Sequence, residues 1–167
     1  MKYIYNGILF QEIPDEITIG FTLLGCTRHC KGCHSSKYWD INLDPEIGYT
    51  FYVTNIIRDV YSNPMNNAAT TVCFFGGDWN CSSFFDVVLD FKYDMYRNSS
   101  YHKYKLAWYT GLDEYKAIND ITIELFNYIK VGEYNKELGG LRSKTTNQKL
   151  FKTRELTDIT SRFWREE

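Results

Sequence analysis

The sequence lacks the long apolar run that a membrane-spanning helix requires, since no stretch approaches about 18 apolar residues. Its start, Met1 to Gly7, also lacks the apolar region of a signal peptide. The 167 residues carry a net charge of -2, so there is no excess of basic charge of the kind that nucleic-acid binding uses. We therefore expect a cytoplasmic protein with neither a membrane nor a nucleic acid as its partner.

Repeats, low-complexity segments and linkers are also missing, which favours one domain over residues 1–167. Hydrophobic residues make up 44% of the chain and aromatic residues 17%, a composition typical of globular proteins. A chain of this length buries roughly 70% of its unfolded surface. In a reducing compartment, the five cysteines are better explained as metal ligands or free thiols than as disulfides.

Apolar periodicity predicts strands that alternate with helices. The predicted strands cover residues 15–24, 70–75, 105–109, 128–131 and 150–154, and the clearest helices cover 50–62 and 82–97. This alternation indicates an α/β fold with a curved parallel sheet and helices on its outside. The segments Cys26–Cys33, Gly76–Asp78 and Thr110–Gly111 each follow a predicted strand, so we expect them to converge at one mouth, the carboxyl end of the sheet.

Three cysteines lie within eight residues, with the spacing C-x3-C-x2-C at Cys26, Cys30 and Cys33. Three thiolates are one short of the four that complete a four-iron cluster, so this spacing indicates a cluster with one iron open to a ligand. Gly32 lets the backbone bend close to the third cysteine. Zinc is the alternative, with His29 or His34 as a fourth ligand.

Gly76-Gly77-Asp78 closes a predicted buried strand. Paired glycines let a ligand approach the backbone closely, and the aspartate carboxylate could bind a ligand ammonium group. The alternative is an ordinary strand-to-helix turn in which the aspartate is a local cap.

The cysteine triplet followed by Gly76-Gly77-Asp78 resembles the radical S-adenosylmethionine superfamily. Within it, five further segments resemble the activating proteins of anaerobic (class III) ribonucleoside-triphosphate reductases. These segments are Cys33–Asp40, Tyr109–Gly111, Tyr128–Tyr134, Glu137–Leu141 and Thr145–Phe151. The resemblance runs from about Ile17 to Phe151 and implies a partial parallel β/α barrel.

The resemblance also implies a mechanism and its cofactors. Cys26, Cys30 and Cys33 would hold a [4Fe-4S] cluster, and S-adenosylmethionine would bind its open iron. An electron from an unidentified low-potential donor would cleave S-adenosylmethionine to methionine and a 5'-deoxyadenosyl radical. That radical would take a hydrogen atom from a glycine on the large catalytic subunit of the reductase, so no catalytic side chain is expected beyond the cluster.

Other residues follow from the same resemblance. The expected cofactor contacts are Gly76, Gly77, Asp78, Thr110, Lys130 and Asn147. For Lys130 the alternative is a solvated surface lysine, and Thr146 to Gln148 would shape either the cofactor site or the partner surface. The remaining candidates are expected to be bystanders: His29 and His34 beside the cluster, Cys73 buried in a strand, and Cys81 a free thiol near the mouth.

Two other readings stay open at this point. The chain could activate a different glycyl-radical enzyme, or act as a small radical enzyme on a modified base or peptide. It could also be a zinc-stapled binding domain with no enzymatic activity.

Overall fold

The computed structural model describes residues 1–43 and 49–164. In this part of the chain, eight strands form one open sheet of mixed α/β architecture, in the order β3-β1-β2-β4-β5-β6-β7-β8. The strands are β1 Lys2–Leu9, β2 Thr18–Leu23, β3 Tyr49–Thr50, β4 Thr71–Phe75, β5 Lys105–Tyr109, β6 Tyr128–Val131, β7 Lys149–Lys152 and β8 Thr157–Asp158. The α-helices are α1 Val53–Tyr61, α2 Cys81–Arg97, α3 Glu114–Ala117 and α4 Asp120–Leu125. Short 3₁₀ helices cover Ser36–Trp39, Pro64–Ala68, Asp78–Asn80 and Thr160–Phe163.

Four strands in the middle of the sheet, β2, β4, β5 and β6, run parallel to one another. The predicted parallel arrangement is confirmed for these strands. It does not extend to the edges, where β1, β3, β7 and β8 pair antiparallel with their neighbours. No helix in residues 1–43 and 49–164 is long and apolar enough to cross a membrane.

The sequence prediction missed β1, because a register shift between Tyr5 and Gly7 breaks the alternation that marks a strand. It also began β2 too early. Asp15 adopts a left-handed backbone conformation with φ of 66°, which a strand residue does not, so β2 starts only at Thr18. The predictions for β5 and β6 agree with the structure at both ends.

One face of the sheet packs against α1 and α2 and forms the main core. Strand residues such as Phe74 and Trp108 meet Phe84, whose ring lies at the centre of a cluster of aromatic side chains. All three side chains are fully buried. Burial of this size is worth about 2–3 kcal/mol for each large apolar side chain, so this face supplies most of the stabilisation.

The opposite face carries small residues in the middle of the strands and larger ones at their carboxyl ends. Gly20, Cys73 and Ala107 form one cross-strand row. A Cβ atom on Gly20 would lie 2.5 Å from Cδ1 of Leu9, so a larger residue there would force the Leu9 side chain to move. The next row on this face joins Thr22, Phe75, Tyr109, Lys130 and Leu150 in register. Above the small residues, this face leaves room for a cavity.

Glu16 joins the amino ends of the parallel strands, a region called the floor below. Its Oε1 accepts hydrogen bonds from Lys105 Nζ at 2.5 Å and from the Tyr128 hydroxyl at 2.6 Å. Its Oε2 accepts from the hydroxyls of Thr70 at 2.5 Å and Thr71 at 3.1 Å. Four donors from the starts of three strands therefore satisfy one buried carboxylate.

Candidate functional site

A cavity of about 780 Å³ lies at the mouth, on the face of the sheet opposite the main core. Its volume falls in the range of small-molecule sites, about 300–1,000 Å³. The cavity brings together many of the residues selected from the sequence: Cys26, Cys30, Cys33, Gly76, Asp78, Thr110, Lys130 and Gln148. The expected convergence of the three strand-end segments is therefore confirmed.

The cysteine loop follows β2 directly and is held by its own backbone hydrogen bonds. Gly25 N donates to the Tyr38 carbonyl at 3.0 Å, which closes the loop at its base. Cys33 N donates to the Cys30 carbonyl at 3.1 Å, which makes a tight turn between these two cysteines. Gly32, in that turn, has a φ of 77°, so its conformation favours glycine.

The three cysteines are half-buried free thiols that line the same cavity. Burial raises the pKa of the Cys26 thiol, and the Asp78 carboxylate adds to this effect. Three thiols on one loop that lines one open cavity are the kind of donors that hold an iron–sulfur cluster, and they leave one position without a cysteine. In the described residues, no three His, Cys, Asp or Glu side chains lie close enough together to hold a single metal ion.

Both histidines of the loop contact aromatic rings. The His29 ring lies 4.6 Å from the Trp39 ring, measured between centroids, and the His34 ring meets the edge of Tyr134 at 6.1 Å. His34 lines the cavity together with Trp39 and Tyr134. Trp39 and Tyr134 therefore contact the two histidines beside the cysteines.

The two glycines after β4 differ in their role. Both have positive φ values, 92° at Gly76 and 91° at Gly77, which strongly favour glycine. Gly76 lines the cavity, but a Cβ on Gly77 would lie 2.7 Å from Leu23 and 2.9 Å from Phe84. Gly77 is therefore required by the packing of the sheet against α2, behind the cavity wall.

Asp78 lies at the cavity wall with its side chain only 5% exposed. Its Oδ2 accepts a hydrogen bond from Nε of Arg28 at 2.7 Å. The carboxylate expected to bind a ligand ammonium group thus already holds one cation from the cysteine loop.

Lys130 is buried, so the alternative of a solvated surface lysine is wrong. Its Nζ donates to the carbonyls of Gly132 at 2.5 Å and Thr110 at 3.3 Å. Burial lowers the pKa of Lys130 to about 8, although the nearby Asp78 carboxylate acts in the opposite direction. The Thr110 hydroxyl is hydrogen-bonded within its own turn, since it accepts a hydrogen bond from Leu112 N at 3.0 Å.

The segment from Thr146 to Gln148 divides between two places. Gln148 lines the main cavity, and its Nε2 donates to the Gly132 carbonyl at 3.3 Å. Asn147 instead lines a smaller cavity of about 270 Å³, and its Nδ2 donates to the Glu133 carbonyl at 3.0 Å. The expected cofactor contact therefore has a more direct geometric basis at Gln148 than at Asn147.

Two further groups at this site were not selected from the sequence, Arg28 and Glu12. Burial raises the pKa of Glu12, and electrostatic interactions with His34 and Arg142 oppose that shift. The Glu12 carbonyl also accepts a hydrogen bond from the hydroxyl of the half-buried Tyr109. Arg28 lies in the spacer of the cysteine triplet, but the spacing singles out only the cysteines. Glu12 lies in the loop between β1 and β2, and no local pattern marks it, because that loop meets the cavity only in the folded chain.

The other candidate residues lie outside the cavity wall. Cys73 is fully buried in β4, as expected. Cys81 begins α2, and its Sγ lies 3.4 Å from the Asp78 carbonyl oxygen. Thr146 donates to the Gly139 carbonyl at 3.2 Å within its own loop.

A model of the 4Fe-4S single cluster domain family matches residues 17–151 of the chain, which is most of its length. The chain belongs to this family. The prediction of a [4Fe-4S] cluster is confirmed at this level, and the family's metal is iron rather than zinc. No curated protein and no solved structure matches the chain.

Proposed function

We propose that this iron–sulfur protein is a radical S-adenosylmethionine enzyme that activates an anaerobic ribonucleoside-triphosphate reductase. The family model supports the proposal because it is found in radical S-adenosylmethionine activases. The observation that carries it is the cavity itself, since three thiols, a glycine turn with a buried aspartate and a buried lysine all line it.

The proposed activity is the formation of a glycyl radical on the large catalytic subunit of the reductase. The cluster and S-adenosylmethionine together would supply the radical chemistry, with one electron from a low-potential donor. The chain's own residues would bind and orient the cluster and S-adenosylmethionine and would exclude water from the cavity. Cys26, Cys30 and Cys33 provide the thiolates that hold the cluster. The alternative protein substrates are other glycyl-radical enzymes.

The charged side chains of the cavity suit an amino-acid ligand. S-adenosylmethionine carries an ammonium group, a carboxylate and a sulfonium. Asp78 offers a carboxylate oxygen to the ammonium group, and Lys130 offers a buried cation to the carboxylate. Phe75 and Tyr109, neighbours on the cavity face, add aromatic surface beside these charges.

The open sheet also supports the proposal. We propose that it curves as an incomplete β/α barrel whose helix-free face forms the cavity wall. A cavity that stays open on one side lets a partner protein reach a bound cofactor and cover it. A single small chain can then both generate a radical and hand it to another protein.

The test is anaerobic reconstitution with iron and sulfide. We expect a brown protein that, once reduced, cleaves S-adenosylmethionine to methionine and 5'-deoxyadenosine. With the large reductase subunit present, a glycyl radical should appear in electron paramagnetic resonance spectra. A colourless protein that holds one zinc per chain after anaerobic purification and refuses a cluster would overturn the proposal. Cofactor cleavage without a radical on the reductase would point to another glycyl-radical enzyme as the target.

A further inference from the structure

Arg28 lies in the three-residue spacer between Cys26 and Cys30, yet its side chain does not extend freely into solvent. It is 28% exposed, and its Nε donates to Oδ2 of Asp78 at 2.7 Å. The two residues are 50 positions apart, so this ion pair links the cysteine loop to the turn after β4. A charge-assisted hydrogen bond to a buried carboxylate is among the stronger polar contacts in a protein.

Gly111, in the turn after β5, makes room for this arginine. A Cβ atom at Gly111 would lie 2.3 Å from Cδ and 2.5 Å from Nε of Arg28. Gly111 is not among the glycines with positive φ, so its backbone conformation does not require glycine. The missing side chain at Gly111 therefore leaves the space that the Arg28 side chain occupies. The turns after β2, β4 and β5 all meet at the guanidinium group of Arg28.

The charges around Arg28 favour this arrangement. The Asp78 carboxylate stabilises the positive charge of the guanidinium group through this short ion pair. Asp78 and the buried Lys130 line the same cavity, and the negative charge of the carboxylate favours the charged form of the lysine. In the described residues the Asp78 side chain accepts this one hydrogen bond, through Oδ2, which leaves Oδ1 at the cavity wall for a ligand.

We propose that Arg28 is a positioning residue: its ion pair with Asp78, seated over Gly111, fixes the cysteine loop in the shape that holds the cluster. Arg28 is not itself a ligand. The proposal rests on the family's cluster and does not depend on which protein the enzyme activates.

A double-mutant cycle between Arg28 and Gly111 tests the proposal. Arg28→Ala should take up iron on reconstitution but lose it to a chelator several times faster than the wild type. Gly111→Ala should do the same, because its Cβ displaces the arginine. The double variant should be no worse than Arg28→Ala alone, since there is no longer a side chain to displace. A harmless Gly111→Ala, or effects that add in the double variant, would overturn the proposal.

The same cycle can be measured on cluster-free protein by thermal unfolding. Gly111→Ala should lower the unfolding temperature in the wild-type background and leave it unchanged in the Arg28→Ala background. This readout needs no cluster, so it separates a failure of the positioning proposal from a failure of the proposed function. Equal destabilisation in both backgrounds would show that Gly111 is needed for another reason.

Charge and geometry are separated by two further variants. Lys31→Ala removes an exposed positive charge from the same loop and should leave cluster retention close to that of the wild type. Arg28→Lys keeps the charge but not the planar guanidinium, so it should retain the cluster better than Arg28→Ala but less well than the wild type. If Lys31→Ala sheds the cluster as fast as Arg28→Ala, general loop charge and not the ion pair holds the cluster, and the proposal is wrong.

Discussion

The two ends of the parallel strands each hold a buried carboxylate, and the two carboxylates are bonded differently. On the floor, Glu16 accepts four hydrogen bonds from side chains of three neighbouring segments. At the mouth, Asp78 accepts one, from Arg28, and faces a large cavity.

This difference indicates that the Glu16 carboxylate is structural, whereas the Asp78 carboxylate is available to a ligand. A carboxylate with all its acceptor positions filled has nothing left to offer a ligand, and its removal leaves several donors unpaired. A carboxylate with a free oxygen at a cavity wall can bind an incoming cation. The floor should therefore govern stability, and the mouth should govern the cluster and its ligand.

The largest effect is expected at the cysteines of the mouth. Changing any of Cys26, Cys30 or Cys33 to Ala should abolish cluster incorporation, because the remaining two thiolates cannot hold it. Iron content and visible absorption after anaerobic reconstitution measure the loss. Cys81→Ala is the matched control and should keep the cluster, since Cys81 does not line the cavity. Loss of the cluster in that control would show that the ligand assignment is wrong.

On the floor, Glu16→Gln should lower the free energy of unfolding by roughly 2–4 kcal/mol. The glutamine NH2 group takes the place of one carboxylate oxygen, so a donor meets either the donors of Lys105 and Tyr128 or those of the two threonines. Chemical denaturation of the cluster-free protein measures it. Glu155→Gln, at an exposed position, should change stability by less than about 0.5 kcal/mol. Equal effects of the two substitutions would remove the distinction between the floor and the surface.

At the mouth again, Lys130→Met should weaken binding of S-adenosylmethionine to the cluster-loaded protein by about tenfold, or ~1.4 kcal/mol. Methionine keeps much of the side-chain volume and removes the cation. Calorimetry measures the affinity. Asn147→Ala is the comparison, and a smaller loss is expected because Asn147 faces the smaller cavity. A greater loss with Asn147→Ala would reverse the ranking of these two contacts.

The smallest effect concerns acid stability. Burial tends to raise the pKa of Glu16, but hydrogen bonds from Lys105, Thr70 and Tyr128 outweigh it and hold the pKa below its ordinary value of 4.5. A lowered folded-state pKa gives stability that is fully present above the unfolded value and is lost as the pH falls through the folded one. Urea unfolding at a series of pH values should show the gap between wild type and Glu16→Gln narrowing below about pH 4. A gap that stays constant would contradict this assignment.

Local patterns were enough to find much of the fold and part of the site. The apolar runs of β5 and β6 and the apolar face of α2 define their elements directly. The convergence of the strand-end segments followed from the rule that parallel strands share an edge. By contrast, β1 was missed because its register shift hides the alternation, and the antiparallel edges depend on pairing between distant segments.

The sequence by itself determined the chemistry that is available: a compact set of three thiols, a glycine turn with an aspartate, and a lysine at a strand end. These are local signals, because ligand spacing and strand ends are written in neighbouring residues. Only the tertiary structure decided which carboxylate is filled and which is open, that Lys130 is buried, and that Arg28 crosses Gly111 to reach Asp78. Those outcomes depend on contacts between residues tens of positions apart, and such contacts form only when the sheet brings its strand ends together.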